Sequence, residues 1–181
     1  MRIVRLVKKA KMGNKEALLQ LISEQQDAYY RLALTYMGNS HDAMDAMEDM
    51  IVSLYHSIPQ LKKEEAFYSW SKTILVNRCK KLLLQKNKIV PMENSDESLE
   101  KPIITVDATN SFTQTEQRMD LKDMLSTLNA NQQEAIELKY LHDLDLQTIA
   151  NMTGVSIGTV KSRVFQGLKK MRDQFGGEWN E

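Results

Sequence analysis

"DLQTIANMTGVSIGTVKSRVFQGLKKM", residues 145–171, contains two helix-start signals on either side of a glycine. The short run "LQTIANM" has apolar residues at helical spacing, and Asp145 stands where its first backbone N–H groups need an acceptor. "TGV" then interrupts the pattern, and Ser156 is placed to cap a second, longer helix. Gly154 suits the turn because glycine reaches positive φ without steric cost. A short helix, a three-residue turn containing glycine and a second helix make the helix-turn-helix pattern.

On that last helix, at about 100° per residue, Ile157, Val160, Val164, Leu168, Met171 and Phe175 fall on one stripe. They are expected to pack on the preceding helices. The opposite face carries Gly158, Thr159, Ser162, Gln166 and Lys169, flanked by Lys161, Arg163 and Phe165, and no acid occurs between Gly154 and Met171. Lys, Arg and Ser suit phosphates, Gln pairs with adenine, and a phenyl ring touches a thymine methyl. A recognition helix in a major groove needs such a face. A solvated amphipathic helix accounts for the charge run by itself; the turn, the cap and the small outer residues favour DNA.

The whole chain does not share this bias. Among 181 residues, 24 are Lys or Arg and 24 are Asp or Glu. Up to Val90 there are 15 basic and 9 acidic residues, then 2 against 6 as far as Arg118, and 7 against 9 thereafter. Cys79 is the single cysteine, so no internal disulfide can form; it reads as a small helix residue in a reducing compartment. No apolar run approaches the ~20 residues of a membrane span, and "MRIVRLVKKAKMGNKE" lacks the apolar core of a signal peptide. The expectation is a cytoplasmic protein without membrane insertion. With 7 Gly and 3 Pro and many Leu, Lys, Gln, Glu and Met, helix is favoured throughout.

The fold class expected is all-α: two small helical domains joined by a flexible linker, the C-terminal one holding the helix-turn-helix. "NKEALLQLISEQQDAYYRLALTYMG" reads as one long helix with Asn14 as N-cap and Gly38 at its close. "NSHDAMDAMEDMIVSLYHSIP" reads as a second, capped by Ser40 and finished before Pro59. After "PQLKKEE" a third runs from about Ala66 to Gln85, with apolar residues nearly all round, and should be largely buried. "PMENSDESLEKPIITVDATNSFTQTE" has no sustained period, two prolines and an acidic surplus, the signature of a tether. Helicity resumes in "QRMDLKDMLSTL" and "NQQEAIELKYLHDL". The boundaries expected are 1–88, linker 89–115, and 116–181.

The stretch "LSTLNANQQEAIELKYLHDLDLQTIANMTGVSIGTVKSRVFQGLKKMR" resembles region 4 of bacterial sigma factors, especially the extracytoplasmic-function group. The shared pattern is Leu-x-x-Leu, Gln-x-x-Ala-Ile-x-Leu-x-Tyr, an Ile-Ala pair and Gly-Val-Ser-Ile-Gly-Thr-Val-Lys-Ser-Arg. Asn129-Ala130 stands where a proline is common, and Gln166 where many members carry arginine. In the N-terminal half, "HDAMDAMEDMIVSLYHSI" and "FYSWSKTILVNRCKKLLLQ" resemble the two helices of region 2, with Met44 and Glu48 departing from the usual Glu and Gln. The resemblance spans both domains in the family's order.

It implies an alternative sigma factor that binds RNA polymerase core and directs promoter-specific initiation. Region 4 would bind the −35 element through Thr159, Lys161, Ser162, Arg163, Phe165, Gln166 and Lys169. Region 2 would take the non-template strand of the −10 element with Phe67, Trp70, Asn77, Arg78, Lys80 and Lys81. One base would enter a pocket made by the loop "SIPQLKKEEAF". Asp45, Glu48 and Asp49 would dock on the clamp coiled coil of the largest polymerase subunit. The family also implies an anti-sigma factor, often membrane-anchored, that blocks these surfaces until a stress signal arrives.

Without the resemblance these residues read differently. Asp42, Asp45, Glu48 and Asp49 share one helix surface near Met47, Met50, Ile51 and Leu54, as a docking face or as an ordinary solvated one. Lys72, Arg78, Lys80, Lys81, Lys86 and Lys88 follow Phe67, Tyr68 and Trp70 with no intervening acid, which suits single-stranded DNA, although Phe67 and Trp70 equally suit a core. Asn77, an amide in an apolar helix, needs partners. An enzyme is not expected: His41, His56 and His142 are scattered, none has metal-ligand spacing with Cys79, and no phosphate-binding glycine loop occurs. No metal or cofactor is called for. Two other readings stay open, a helix-turn-helix regulator with a helical N-terminal sensor domain and a helical adaptor that binds only proteins.

Overall fold

A computed structural model describes residues 1–89 and 120–176. Its packing divides the chain into two compact units, Met1–Thr105 and Val106–Glu181. Of the linker expected at 89–115, all but Ile89 lies outside the described residues. The described residues are helical, with no strand among them.

The first unit is built from α1 (Arg2–Lys11), α2 (Lys15–Glu24), α3 (Gln26–Met37), α4 (Ser40–Ser57) and α5 (Phe67–Ile89). Asn14 caps α2 as its sequence position predicts, accepting from Ala17 N at 2.9 Å. Gly38 closes α3 in the left-handed conformation, φ 78°, where a Cβ would cost strain. Between them, the single helix expected over residues 14–38 is broken at Gln25 (φ −121°, ψ 18°). Leu21 and Ile22 before the break, and Tyr29, Leu32 and Ala33 after it, are all buried, so the bend lets both segments face one core. The α4 cap is Asn39 rather than Ser40; its side chain accepts from Asp42 N at 2.9 Å, and Ser40 is already helical.

The α3, α4 and α5 helices pack on one another around Tyr29, Leu32, Met50, Leu54, Phe67, Leu75 and Val76. Tyr29 is fully buried, yet its hydroxyl pairs with Ser71 Oγ at 2.7 Å. Burial pushes the phenol up to about 12, so the pair is a neutral hydrogen bond inside the core. Cys79 is buried and its thiol is pushed up to about 12 by desolvation, the condition of an inert packing residue. Only the first half of α5 is buried as expected: from Leu84 to Lys88 every residue is exposed.

In the second unit, helical turns at 120–126, named α6, precede α7 (Ala130–Ile136), a π-turn (Glu137–Leu141), α8 (Leu146–Thr153) and α9 (Ile157–Phe175). Asn129 starts α7 with a reciprocal cap: Gln132 N donates to its side chain at 2.9 Å, and its own N–H donates to Gln132 Oε1. That box supplies what the proline common at this point would otherwise pre-set. The long helix expected through "NQQEAIELKYLHDL" loosens after Ile136. His142 N donates to Glu137 O, and Leu144 N to Leu138 O. The wider turn buries both Leu138 and Leu144 while Tyr140 and Leu141 face out.

Candidate nucleic-acid interface

The helix-turn-helix forms as its caps dictate. Thr148 N donates to Asp145 Oδ1 at 2.9 Å and the Thr148 hydroxyl to Oδ2 at 2.7 Å, and these bonds hold the Asp145 carboxyl below its ordinary range. Gly154 takes φ 69°, and Ser156 Oγ accepts from Thr159 N at 3.1 Å. Each such cap is worth about 1 kcal/mol. Together they fix where α9 begins, and so which of its residues face out.

The inner stripe of α9 is buried at Val160 and Val164, partly buried at Ile157, Met171 and Phe175, and exposed at Leu168. Gly167 is also buried, a contact that the apolar stripe alone did not reveal. On the outside, Thr159, Lys161, Ser162, Gln166 and Lys169 are exposed, and Arg163 is half-buried at the edge. Thr159 also shares its hydroxyl with the cap, 3.0 Å from Ser156 Oγ. Phe165 is 66% exposed. Its ring stands among the exposed Lys161, Ser162, Gln166 and Lys169, so this face offers apolar, amide and cationic groups side by side.

On α5 the sequence candidates separate. Trp70, Asn77 and Lys81 line up with Ile74, Leu84 and Lys88 in steps of three and four residues, a single row opposite the buried Ser71, Leu75 and Cys79. Trp70 is half-buried and its ring lies 6.2 Å from that of Phe67, tilted by 52°. Arg78 and Lys80, both half-buried, flank the row on either side; Lys80 Nζ stands 5.8 Å from the centre of the Tyr36 ring. Phe67 does not join them. It is fully buried and presents no surface to a nucleic acid; it supports Trp70 from behind. Asn77 is exposed, so water satisfies the amide that an apolar helix interior would have left needing partners.

The loop before α5 is formed by two short 3₁₀ turns, Ile58–Gln60 and Glu64–Ala66. Ile58 and Leu61 anchor it in the core, while Pro59, Gln60, Lys62, Lys63 and Glu65 are exposed. Lys11 reaches into it from α1, donating to Leu61 O at 2.9 Å and to Glu64 Oε1 at 3.0 Å.

On α4, Asp45, Glu48 and Asp49 are exposed as a group. The apolar neighbours differ from those the sequence suggested. Met50 and Leu54 are fully buried, whereas Met44 (54%), Val52 (58%) and Tyr55 (41%) are exposed among the acids. Asp42 sits apart. Its carboxylate takes a bond from Asn39 Nδ2 at 2.7 Å and a salt bridge from Lys86 of α5. Among the described residues no group of three or more His, Cys, Asp or Glu could hold a metal ion, and no helix is long and apolar enough to cross a membrane.

Comparison with known proteins matches both units. A family model described as Sigma-70 region 2 covers residues 21–89, and one described as Sigma-70, region 4 covers residues 118–171. The RNA polymerase sigma factor SigV of Bacillus subtilis is 31% identical over 170 residues, 94% of this chain and 98% of that protein. The ECF RNA polymerase sigma-E factor of Haemophilus influenzae is 27% identical, covering 93% of each. Among solved structures, CnrH in complex with the cytosolic domain of CnrY aligns over 98% of this chain and 99% of that one, with TM-score 0.67 and 17% identity. The sigma factor RpoE of Bartonella quintana, solved with the anti-sigma factor NepR, aligns over 88% and 96% with TM-score 0.61 and 18% identity. With both regions present in the family's order and a relative matched over nearly its whole length, this chain belongs to the extracytoplasmic-function group of sigma-70-family RNA polymerase sigma factors.

Proposed function

We propose that the chain binds RNA polymerase core and carries two DNA-reading surfaces, α9 for the −35 element and the α5 row with the preceding loop for the −10 element. The outer face of α9 is the observation that carries this reading. Its exposed Phe165 stands among Lys161, Ser162, Gln166 and Lys169 on a helix whose start is fixed by Ser156. Cations hold the phosphates, and Gln166 and Phe165 have the reach and chemistry for base edges. In region 2, Trp70, Asn77 and Lys81 offer a ring, an amide and a charge in one row, flanked by Arg78 and Lys80. That combination suits unstacked bases and their backbone. The loop 57–67 then receives one displaced base.

Asp45, Glu48 and Asp49 around Met44, Val52 and Tyr55 form the polymerase-docking face, acids steering towards the basic clamp coiled coil and apolar groups packing on it. The protein works in the cytoplasm, without catalysis of its own. Residues 1–88 and 116–181 act as the two functional domains, with 89–115 between them. Regulation follows from the same surfaces: CnrH and RpoE were each solved with a protein partner, the latter with an anti-sigma factor, and a comparable inhibitor would hold this chain inactive until a stress signal.

The experiment is capture of core polymerase by the purified chain in nuclease-treated extract, followed by transcription with the reconstituted holoenzyme. The expected result is core-dependent initiation at discrete sites. Tight, specific duplex binding by the isolated chain without any polymerase association would assign it instead to helix-turn-helix regulators.

A further inference from the structure

We propose that α1 is a brace for the −10 loop and that Lys11 is its positioning residue, setting which base the loop accepts. The inference rests on the assignment of the 57–67 loop to the −10 element, and adds to it a residue that lies outside both matched regions.

The loop has little regular structure of its own. Two short 3₁₀ turns, Ile58–Gln60 and Glu64–Ala66, bracket Leu61, Lys62 and Lys63. Its buried anchors, Ile58 and Leu61, fix the ends of the first turn but not the path between Lys62 and Glu65. There Ala66 N donates to Lys63 O at 3.1 Å, which closes the second turn, and Lys11 ties that turn to Leu61. One ammonium group donates to the Leu61 carbonyl at 2.9 Å and to Glu64 Oε1 at 3.0 Å, so it spans the gap from the inside. Both side chains are mostly shielded, 24% and 21% exposed, where a charge-assisted bond is stronger than on an open surface. The Glu64 carboxyl is held below its ordinary range, first of all by the Lys11 bond.

A brace must itself be fixed. Val7 and Ala10 are buried, and α1 packs along α2 and against both 3₁₀ turns. At its other end Arg2 pairs with Glu24 at 2.9 Å, and Glu24 accepts from the Tyr68 hydroxyl at 2.9 Å. The segment from Leu61 to Tyr68 is therefore tied to α1 at two places, by Lys11 directly and by Arg2 through Glu24. Only the Lys11 end touches the loop backbone.

The test is holoenzyme transcription on a promoter library randomised at the −10 element, with wild-type chain, Lys11→Met, Lys11→Arg and a loop variant in which Gln60, Lys62 and Lys63 are alanine. Methionine keeps the length and apolar stem but removes both donors; arginine keeps charge and donors. The expected result is that Lys11→Met flattens the base preference at one −10 position by about fivefold. Its −35 preference and its competition for core polymerase should stay unchanged, and Lys11→Arg should remain near wild type. If Lys11→Met keeps the wild-type −10 preference while the loop variant loses it, the brace is overturned and the loop assignment stands. If neither changes it, both fall. A Lys11→Met chain that loses −35 recognition and polymerase binding in step would also overturn the proposal, because Lys11 would then support folding in general.

Discussion

A Cβ placed on Gly167 would stand 2.5 Å from Ile136 Cδ1, so α9 lies against α7 where one of the two helices has no side chain. Ile136 is itself buried with Leu125 and Leu128, with Met171 packed against them. Cδ1 is the end of a flexible side chain and can shift, but it must do so inside that buried cluster.

Gly167→Ala should therefore destabilise the second unit, although alanine is the better helix former. The propensity gain is ~1 kcal/mol and overpacking costs ~1–3 kcal/mol, leaving a net loss of about 1 kcal/mol. Ile136→Val removes the clashing carbon. In that background the same Gly167→Ala change should become neutral or stabilising. Urea denaturation of the four chains, followed by amide exchange within α7 and α9, reads the sign in each background. A loss of equal size in both would mean that the Gly167–Ile136 approach is not what requires glycine.

Charge reversal at Asp45 and Asp49 should weaken competition for core polymerase and make the remainder less salt-sensitive, with helical content unchanged, since both side chains are exposed. Tyr55→Ala should lose more than either single acid if it sits at the centre of the patch, by ~1–3 kcal/mol. Polymerase competition that is the same for all variants would remove α4 from the interface.

Asp42 offers a check on how α4 is joined to α5. Its carboxyl is held below the ordinary aspartate value, first by the Asn39 bond and next by Lys86. A depressed folded value stabilises the fold above the unfolded pKa, and that contribution is lost as pH falls through the folded one. Carboxyl NMR titration should show the Asp42 value rising in Asn39→Ala and in Lys86→Ala, and further in the double variant. A value unmoved by Lys86→Ala would mean that the salt bridge does not join α4 to α5.

Gln166→Arg should shift base preference within the −35 element rather than raise all sequences alike. Glutamine pairs with adenine and arginine with guanine, and one such pair discriminates by ~1–3 kcal/mol. Alanine at Lys161 or Lys169 should weaken binding without changing the preferred sequence. Uniform stimulation by Gln166→Arg across a −35 library would place residue 166 on the phosphates.

Local chemistry was readable where one residue decides the outcome. Asn14, Asp145 and Ser156 cap helices, and Gly38 and Gly154 take positive φ, each as its type and position imply. The inner face of α9 followed from period at Ile157, Val160, Val164, Met171 and Phe175, but not at Leu168, which is exposed, or Gly167, which is buried. What period cannot show is how helices meet. The bend at Gln25, the burial of Phe67 and the exposure of Asn77 follow from which side of α2, α3 and α5 meets the core. On α4 the spacing places Asp45, Glu48 and Asp49 on one exposed face, but not its apolar members, because Met50 and Leu54 point inward while Met44, Val52 and Tyr55 do not. Gly167 had a signal: a glycine beside Val160 and Val164 on a helix stripe marks a close approach. Lys11, at the edge of the apolar face of α1, carried none that named its partner fifty residues away.

The central claim is that one chain brings polymerase to promoters by reading two separate DNA elements. The most direct measurement is transcription by reconstituted holoenzyme on a library in which both upstream elements are randomised, with every start site sequenced. The predicted result is initiation that requires both core and this chain, at sites preceded by two enriched elements at fixed spacing. Phe165→Ala with Gln166→Ala should reduce dependence on the upstream element, and Asn77→Ala with Lys81→Ala on the downstream one. Initiation by core that is unchanged when the chain is added, or enriched sequences that neither pair of substitutions affects, would contradict it.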